Sequence, residues 1–223
     1  RTGMRMEMFR ESIVYEDGQI LICHKPPGVP VQSARVGVMD LECACRNYLH
    51  TAHIGIVQRL DQPVEGLVVL AKTKKAAGEL GRQVQDGRME KAYLAVAHGA
   101  VEPPEGMFTD WLVRDGQKRM AAVVPQGAKN AKEARLRYQV VERRGGMSLL
   151  KIRLLTGRFH QIRVQFASRG CPLVGDRKYG PQYGGEKELG LCAYRLGLIH
   201  PVSGKEMYWE IRPKGSAFRG YEV

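Results

Sequence analysis

GRFHQIRVQFASRGCPLVGDRKYG, residues 157–180, carries a helix and the punctuation that ends it. His160 to Arg169 has helical character. Gly170 can take the left-handed conformation that stops a helix, and Pro172 follows where the helix can no longer continue. Working upstream, Ser148 to Leu155 and Arg135 to Glu142 read as strands, and Arg144-Gly145-Gly146 between them reads as a hairpin turn. The whole of Phe108 to Leu155 has this form: strands joined by turns that contain Gly or Pro. Downstream, strands are predicted near Leu191–Leu198 and Met207–Ile211. One helix thus lies among consecutive strands. The order is not the alternation of strand and helix that builds an open parallel sheet, so the pattern predicts a strand-rich α+β fold.

The N-terminal half fits the same class. Ile13-Val14-Tyr15, a turn at Glu16-Asp17-Gly18, and Ile20-Leu21-Ile22 read as a hairpin, and Lys25-Pro26-Pro27-Gly28 breaks the second strand. Met39 to Leu49 has helical spacing, with Leu41, Cys45, Tyr48 and Leu49 on its apolar side. GLVVLA, residues 66–71, is a short, continuous apolar run, as expected of a buried strand. Thr73 is placed to cap a helix that ends near Asp86 and Gly87, with Ala76, Ala77, Leu80 and Val84 inward. Lys91 to Ala97 alternates as a strand, with Tyr93, Ala95 and Ala97 on one face. VEPPEG, residues 101–106, reads as a loop between lobes. Residues 1–223 are therefore expected to form one domain, with 1–11 a loose N-terminal segment.

The net charge of +12 and a pI near 9.7 favour a polyanionic partner, and nucleic acid is the leading one. A basic surface that serves only solubility is the plain alternative. The five cysteines are odd in number, irregularly spaced and without CxxC, which argues against disulfides or zinc. Thiols of this kind fit a reducing cytoplasm. No apolar run is long enough for a membrane span, and no basic-then-apolar leader is read. There is no GxGxxG after a strand, no GxxxxGK[ST], no HExxH and no GxSxG.

Three segments stand out: Val57-Gln58-Arg59-Leu60-Asp61-Gln62-Pro63-Val64-Glu65-Gly66 leading into the apolar strand, Glu90-Lys91-Ala92-Tyr93-Leu94-Ala95, and the opening stretch with Thr156 before it, to Gly180. Singly each has an ordinary explanation. An Asp before Gln-Pro is a turn residue, a strand Tyr is packing, a helical Arg is a solvated charge, and a His at a helix start satisfies backbone groups.

Together, in this order, they resemble the RluA-type family of RNA pseudouridine synthases. The family pattern of HRLD, a polar stretch with Gly and an apolar strand ending in Ala-Lys is matched by QRLDQPVEGLVVLAK. Its pattern GR-x-HQIR, then Gly-x-Pro-Leu/Ile-x-Gly-Asp-x-x-Tyr-Gly, is matched by the opening stretch. The resemblance spans Ile13 to Ile211. Gln58 stands where His is usual, Val64-Glu65 where Thr-Ser is usual, and Phe159 where Thr is usual. No small S4-like RNA-binding module is seen before Ile13, as in compact members.

The resemblance implies an α+β catalytic domain. Its large mixed, mainly antiparallel sheet would lie in two lobes around a central catalytic cleft, flanked by helices. It implies an isomerase that detaches uracil from C1′ and rejoins it through C5, with neither cofactor nor metal. Asp61 matches the catalytic carboxylate, acting as nucleophile or as base in an elimination to a glycal; both routes stay open. Arg163 matches the basic partner that keeps such a carboxylate ionised against desolvation. Tyr93 matches the active-site tyrosine, able to stack on uracil or to serve in proton removal from C5. The target base must be flipped from its stack. Arg59 is expected to prop the vacated space or to meet a phosphate, Ile162 to pack on the uracil or in the core, and Arg158, Arg177 and Lys178 to meet phosphates. The expected partner is a stem-loop of transfer or ribosomal RNA, met by a monomer. Two rival readings stand beside this one: a non-catalytic basic RNA-binding protein, and a glycosidase using Asp61 and Glu65 as an acid pair.

Overall fold

The structure is a computed structural model that describes residues 3–223. Among the described residues there are eleven strands and four α-helices, an α+β chain as the sequence pattern predicts. It divides into two compact units, Arg1–Lys91 with Cys192–Lys214, and Ala92–Leu191 with Gly215–Val223. No helix among the described residues is long and apolar enough to cross a membrane.

The first unit begins with a departure. In place of a loose N-terminal segment, Met6–Ser12 forms a helix, α1. Phe9 is fully buried on it and packs against Tyr48 at 5.5 Å between rings. That apolar anchor is not evident in a segment otherwise rich in charge. β1 (Ile13–Glu16) and β2 (Ile20–Lys25) form the expected hairpin. The Asp17 carboxylate accepts the N–H groups of Gln19 and Ile20 and so fixes the turn. α2 (Leu41–Leu49) follows, with the Asp40 side chain accepting the Cys43 N–H at its start.

β3 (Gly55–Ile56) and β2 both run antiparallel to β4 (Glu65–Ala71), every residue of which is buried. A strand covered on both faces explains its unbroken apolar composition. Its first two residues pair in parallel with Cys192 and Ala193 of β10 (Leu191–Ile199). Gly66 sits there at φ +146°, where an added Cβ would lie 2.6 Å from Ala193. β11 (Glu206–Glu210) closes antiparallel onto β10.

Thr73 caps α3 (Lys74–Gln85) by accepting the Ala76 N–H. Ala76 and Leu80 point inward as predicted, but Val84 is exposed and Gln83 is buried in its place. The Gln83 amide donates to the Ile199 carbonyl and accepts the Ile199 N–H, so a polar side chain replaces one missing backbone pair. The core here is Ile20, Ile22, Leu67, Val69, Leu196 and Leu198 with the α3 stripe.

The second unit is antiparallel throughout. Its strands are β5 (Glu90–His98), β6 (Glu105–Asp115), β7 (Met120–Val124), β8 (Lys132–Arg144) and β9 (Met147–Leu154). They lie in the order β5-β9-β8-β6-β7. β8 alternates cleanly: Ala134, Leu136 and Tyr138 are buried while Arg135, Arg137 and Gln139 are exposed. The buried face is covered by α4 (Gln161–Ala167). Phe166 of α4 meets Phe108 and Tyr138 at 5.0 and 6.2 Å, and Val164 packs with Leu112, Ala121 and Ala134.

Candidate active site

Asp61 lies in the loop that enters β4, and its side chain is half-buried. The Val64 N–H closes a turn onto its carbonyl at 2.9 Å. The next residue is clamped to the Pro-Pro-Gly turn. The Gln62 carbonyl accepts the Gly28 N–H at 2.8 Å, and the Gln62 amide donates to the Gly28 carbonyl at 3.0 Å. Gly28 takes φ +87°, which makes that approach possible.

Lys25 completes the clamp, and sequence reasoning missed it by treating Lys25-Pro26-Pro27-Gly28 only as a strand breaker. Its side chain is fully buried. The ammonium donates to the carbonyls of Val29 at 2.6 Å and of Pro26 and Gln62 at 3.0 Å. Burial pulls its pKa down to about 7, and the nearby charges of Asp61 and Glu65 oppose the fall. Three carbonyl acceptors take all three ammonium protons, so the geometry is built for the charged form. A fixed cation therefore sits within electrostatic reach of Asp61, on the same loop closure. Lys25→Met should cost about 3 kcal/mol, the scale for stripping charged donors from buried acceptors. The check is the urea midpoint at unchanged m-value. A midpoint equal to wild type would mean that the staple carries no weight.

Glu65, which the rival glycosidase reading pairs with Asp61, is 1% exposed. It bonds His24 at 2.6 Å and accepts the Lys214 N–H at 2.7 Å. A carboxylate committed in this way is structural, which removes the basis for the glycosidase reading. Gln58 is buried, and neither polar atom of its amide has a hydrogen-bond partner among the described residues. Arg59 is exposed.

In the second unit, cross-strand register decides where Tyr93 points. Tyr93 stands opposite Ile152, and Ile152 opposite Tyr138. Directly opposed residues share a face, so Tyr93 lies on the face that α4 covers. Arg163 belongs to α4 and is 4% exposed, against the usual expectation for a helical arginine. Two of its donors are committed to Asp176, an acid within the same motif to which the sequence alone assigns no role. Nε and Nη2 reach the two Asp176 oxygens at 2.9 and 2.8 Å. The Asp176 side chain has no exposure and also accepts the N–H groups of Lys178 and Tyr179, at 3.1 Å each. Gly175 precedes it at φ +75°, where a Cβ would collide with the Lys187–Glu188 backbone.

His160 adds a third support. It occupies the left-handed region at φ 54°, immediately before α4. Its Nε2 lies 3.4 Å from Arg163 Nη1, and its Nδ1 lies 2.7 Å from the Tyr179 hydroxyl. A guanidinium only donates, so Nε2 is the acceptor and the proton resides on Nδ1. Tyr179 oxygen then accepts from both His160 and the Ala121 N–H, the latter at 2.7 Å. Burial, and then the charges of Arg163 and Lys178, hold the His160 pKa down to about 3, so it is neutral in any ordinary buffer. Phe159 stacks on His160 at 3.8 Å, and Arg114 lies over its other face at 4.1 Å.

The remaining positions are simpler. Ile162 is 4% exposed and belongs to the buried side of α4. The exposed Arg158 donates from Nε to the Glu133 carbonyl, and the exposed Lys178 donates to the Arg119 carbonyl. Arg177 is exposed. The second unit thus brings Tyr93 to the α4 face and holds Arg163 in a fixed orientation. Asp61 belongs to the first unit.

The family model for RNA pseudouridylate synthase matches residues 19–168. An RNA pseudouridine synthase of Aquifex aeolicus is 36% identical over 219 residues, covering 90% of this chain and 68% of that protein. The ribosomal large subunit pseudouridine synthase D of Neisseria meningitidis serogroup B is 37% identical over 216 residues. That match covers 89% of this chain and 57% of the relative, so the chain spans little more than half of that protein's length. Among solved structures, human RNA pseudouridylate synthase domain containing 1 superposes with a TM-score of 0.77 at 25% identity, over 91% of this chain and 83% of that one. Domain containing 4 gives a TM-score of 0.76 at 23% identity, over 94% and 91%, and shares the fold. On its motifs, its α+β architecture and these matches, the chain belongs to the RluA-type family of RNA pseudouridine synthases.

Proposed function

We propose that the protein isomerises uridine to pseudouridine in large-subunit ribosomal RNA, with Asp61 as the catalytic carboxylate. The observation that carries this reading is the stapled Asp61 loop. A half-buried aspartate is fixed by a turn, by two hydrogen bonds to the Pro-Pro-Gly turn and by a buried lysine. Such rigidity suits a carboxylate that must meet one carbon atom. The ribosomal target is the one named for the Neisseria relative.

The reaction breaks N1–C1′ and forms C5–C1′; the hydrogen on C5 leaves as a proton and N1 takes up a proton, so the composition is unchanged. No electrons are exchanged. Asp61 attacks C1′ or removes a proton in elimination to a glycal. In this reading Arg163 keeps the carboxylate ionised in a dry site. Tyr93 stacks on the uracil and serves in removing the C5 proton. The base is flipped out to reach these groups, and Arg59 props the gap it leaves. Arg158, Arg177 and Lys178 hold phosphates.

Large-subunit ribosomal RNA from cells lacking the gene should gain pseudouridine at one or a few positions on incubation with the purified protein. Chemical mapping of the product reads this, and a map with no new site in that RNA would refute the ribosomal assignment. Tyr93→Phe keeps the ring and removes the hydroxyl. It should bind RNA as the wild type does and lose about 10²–10⁴-fold in turnover, the range for a positioned acid–base group. Full activity would leave Tyr93 as a stacking residue only.

A further inference from the structure

The sheet of the second unit has two faces, and the catalytic reading uses only the one beneath α4. Three of the cross-strand rows on the opposite face are mostly polar or basic. Thr109 stands opposite Arg135; Met107 opposite Arg137, and Arg137 opposite Arg153; Glu105 opposite Gln139, and Gln139 opposite Lys151. Arg135, Arg137, Lys151 and Arg153 are all exposed. Arg137 and Arg153 are directly opposed across the two strands. Successive same-face residues on one strand lie about 7 Å apart, and directly opposed ones about 5 Å. Arg135, Arg137, Arg153 and Lys151 therefore form a compact cationic cluster with Thr109 and Gln139 as hydrogen-bonding neighbours. Glu133 pairs with Arg135 at 3.0 Å, and Glu105 lies at one end. Among the described residues no carboxylate forms an ion pair with Arg137 or Lys151.

We propose that this face is a second RNA-binding surface, which holds phosphates of the RNA flanking the modified uridine. The inference rests on the RNA-modifying role proposed above but concerns a different surface. Charge complementarity sets the occupant. Four cations in two adjacent strands match closely spaced phosphates. The sheet lies between this face and Arg163, so one short stem-loop cannot fill the site and cover this face together. The RNA must continue past the edge of the sheet, where β7 pairs on one side only. The hairpin beside that edge carries the exposed Arg114, Lys118 and Arg119. The surface therefore selects large folded RNA over isolated stem-loops.

The test compares wild type with the triple variant Arg135→Gln/Arg137→Gln/Lys151→Gln. Filter binding is measured across a salt series on deproteinised large-subunit ribosomal RNA and on a short uridine-containing stem-loop. On ribosomal RNA the variant should give a log–log salt slope shallower by about 2–3, roughly 0.7–0.9 for each of the phosphates no longer neutralised. Stem-loop binding, tritium release from C5 of the stem-loop and the urea midpoint should match wild type. An unchanged slope on ribosomal RNA overturns the proposal and leaves the cluster to some other acidic partner. An equal loss on both RNAs also overturns it, because the face would then not be a separate surface. Arg137→Glu alone should weaken ribosomal RNA binding further than Arg137→Gln; equal effects would count against a phosphate partner. A wild-type protein that binds RNA but releases no tritium defeats the catalytic reading while leaving this surface measurable.

Discussion

Arg163→Lys lowers turnover by about 10²–10³-fold, the scale for removing one preorganised charge-stabilising donor set, while RNA affinity changes by less than about threefold. The substitution keeps the positive charge and removes the planar fork. In the structure that fork is fixed from two sides, by both Asp176 oxygens and by His160 Nε2. A lysine ammonium is a point charge on a flexible stem and cannot satisfy both Asp176 oxygens while holding a second direction. Single-turnover tritium release together with filter binding separates the two effects. Equal loss of binding and turnover would make Arg163 an RNA-binding residue instead. The double variant Arg163→Met/Asp176→Leu guards against a folding artefact. Replacing a buried pair by apolar residues of similar volume is commonly neutral or stabilising. That variant should fold as well as wild type and remain inactive.

Asp176→Ala destabilises the protein by about 3–5 kcal/mol, the cost of leaving one member of a buried ion pair uncompensated. The Arg163 side chain is 5% exposed and that of Asp176 has no exposure, so water cannot take the missing partner's place. The Lys178 and Tyr179 N–H groups lose their acceptor in the same step, and the turn that ends in Gly180 loosens. A protein with about 5–15 kcal/mol of total stability gives up a large share of it. Urea unfolding at unchanged m-value measures the loss. A shift below about 1 kcal/mol would mean that the pair is well hydrated and worth no more than a surface ion pair.

Which features are legible in the sequence follows from the range of the forces involved. The 66–71 run of β4 is readable because a strand buried on both faces is largely apolar. The cap at Thr73 is readable because a capping side chain and its N–H partner lie three residues apart. The face on which Tyr93 lies follows from strict alternation, and pairing with Ile152 agrees. The missed features all depend on partners distant in sequence. Lys25 is an ordinary surface residue by type, and only the Gln62 carbonyl and the Val29 turn make its burial tolerable. Gln83 displaces Val84 from the core because Ile199 offers both a donor and an acceptor. The Arg163–Asp176 pair joins a helix to the loop beyond it, and no local spacing rule selects it. Phe9 anchors a helix in a segment that composition alone marks as loose.

The central claim is that the ionised Asp61 carboxylate performs the chemistry. Its most direct test is tritium release from C5 of uridine-labelled large-subunit ribosomal RNA by wild type and by Asp61→Asn, with RNA binding measured in parallel. Asparagine preserves volume and hydrogen bonding but cannot carry the charge. The expected result is stoichiometric release by wild type, background release by Asp61→Asn, and equal binding by both. Release at the wild-type rate by Asp61→Asn would contradict the claim.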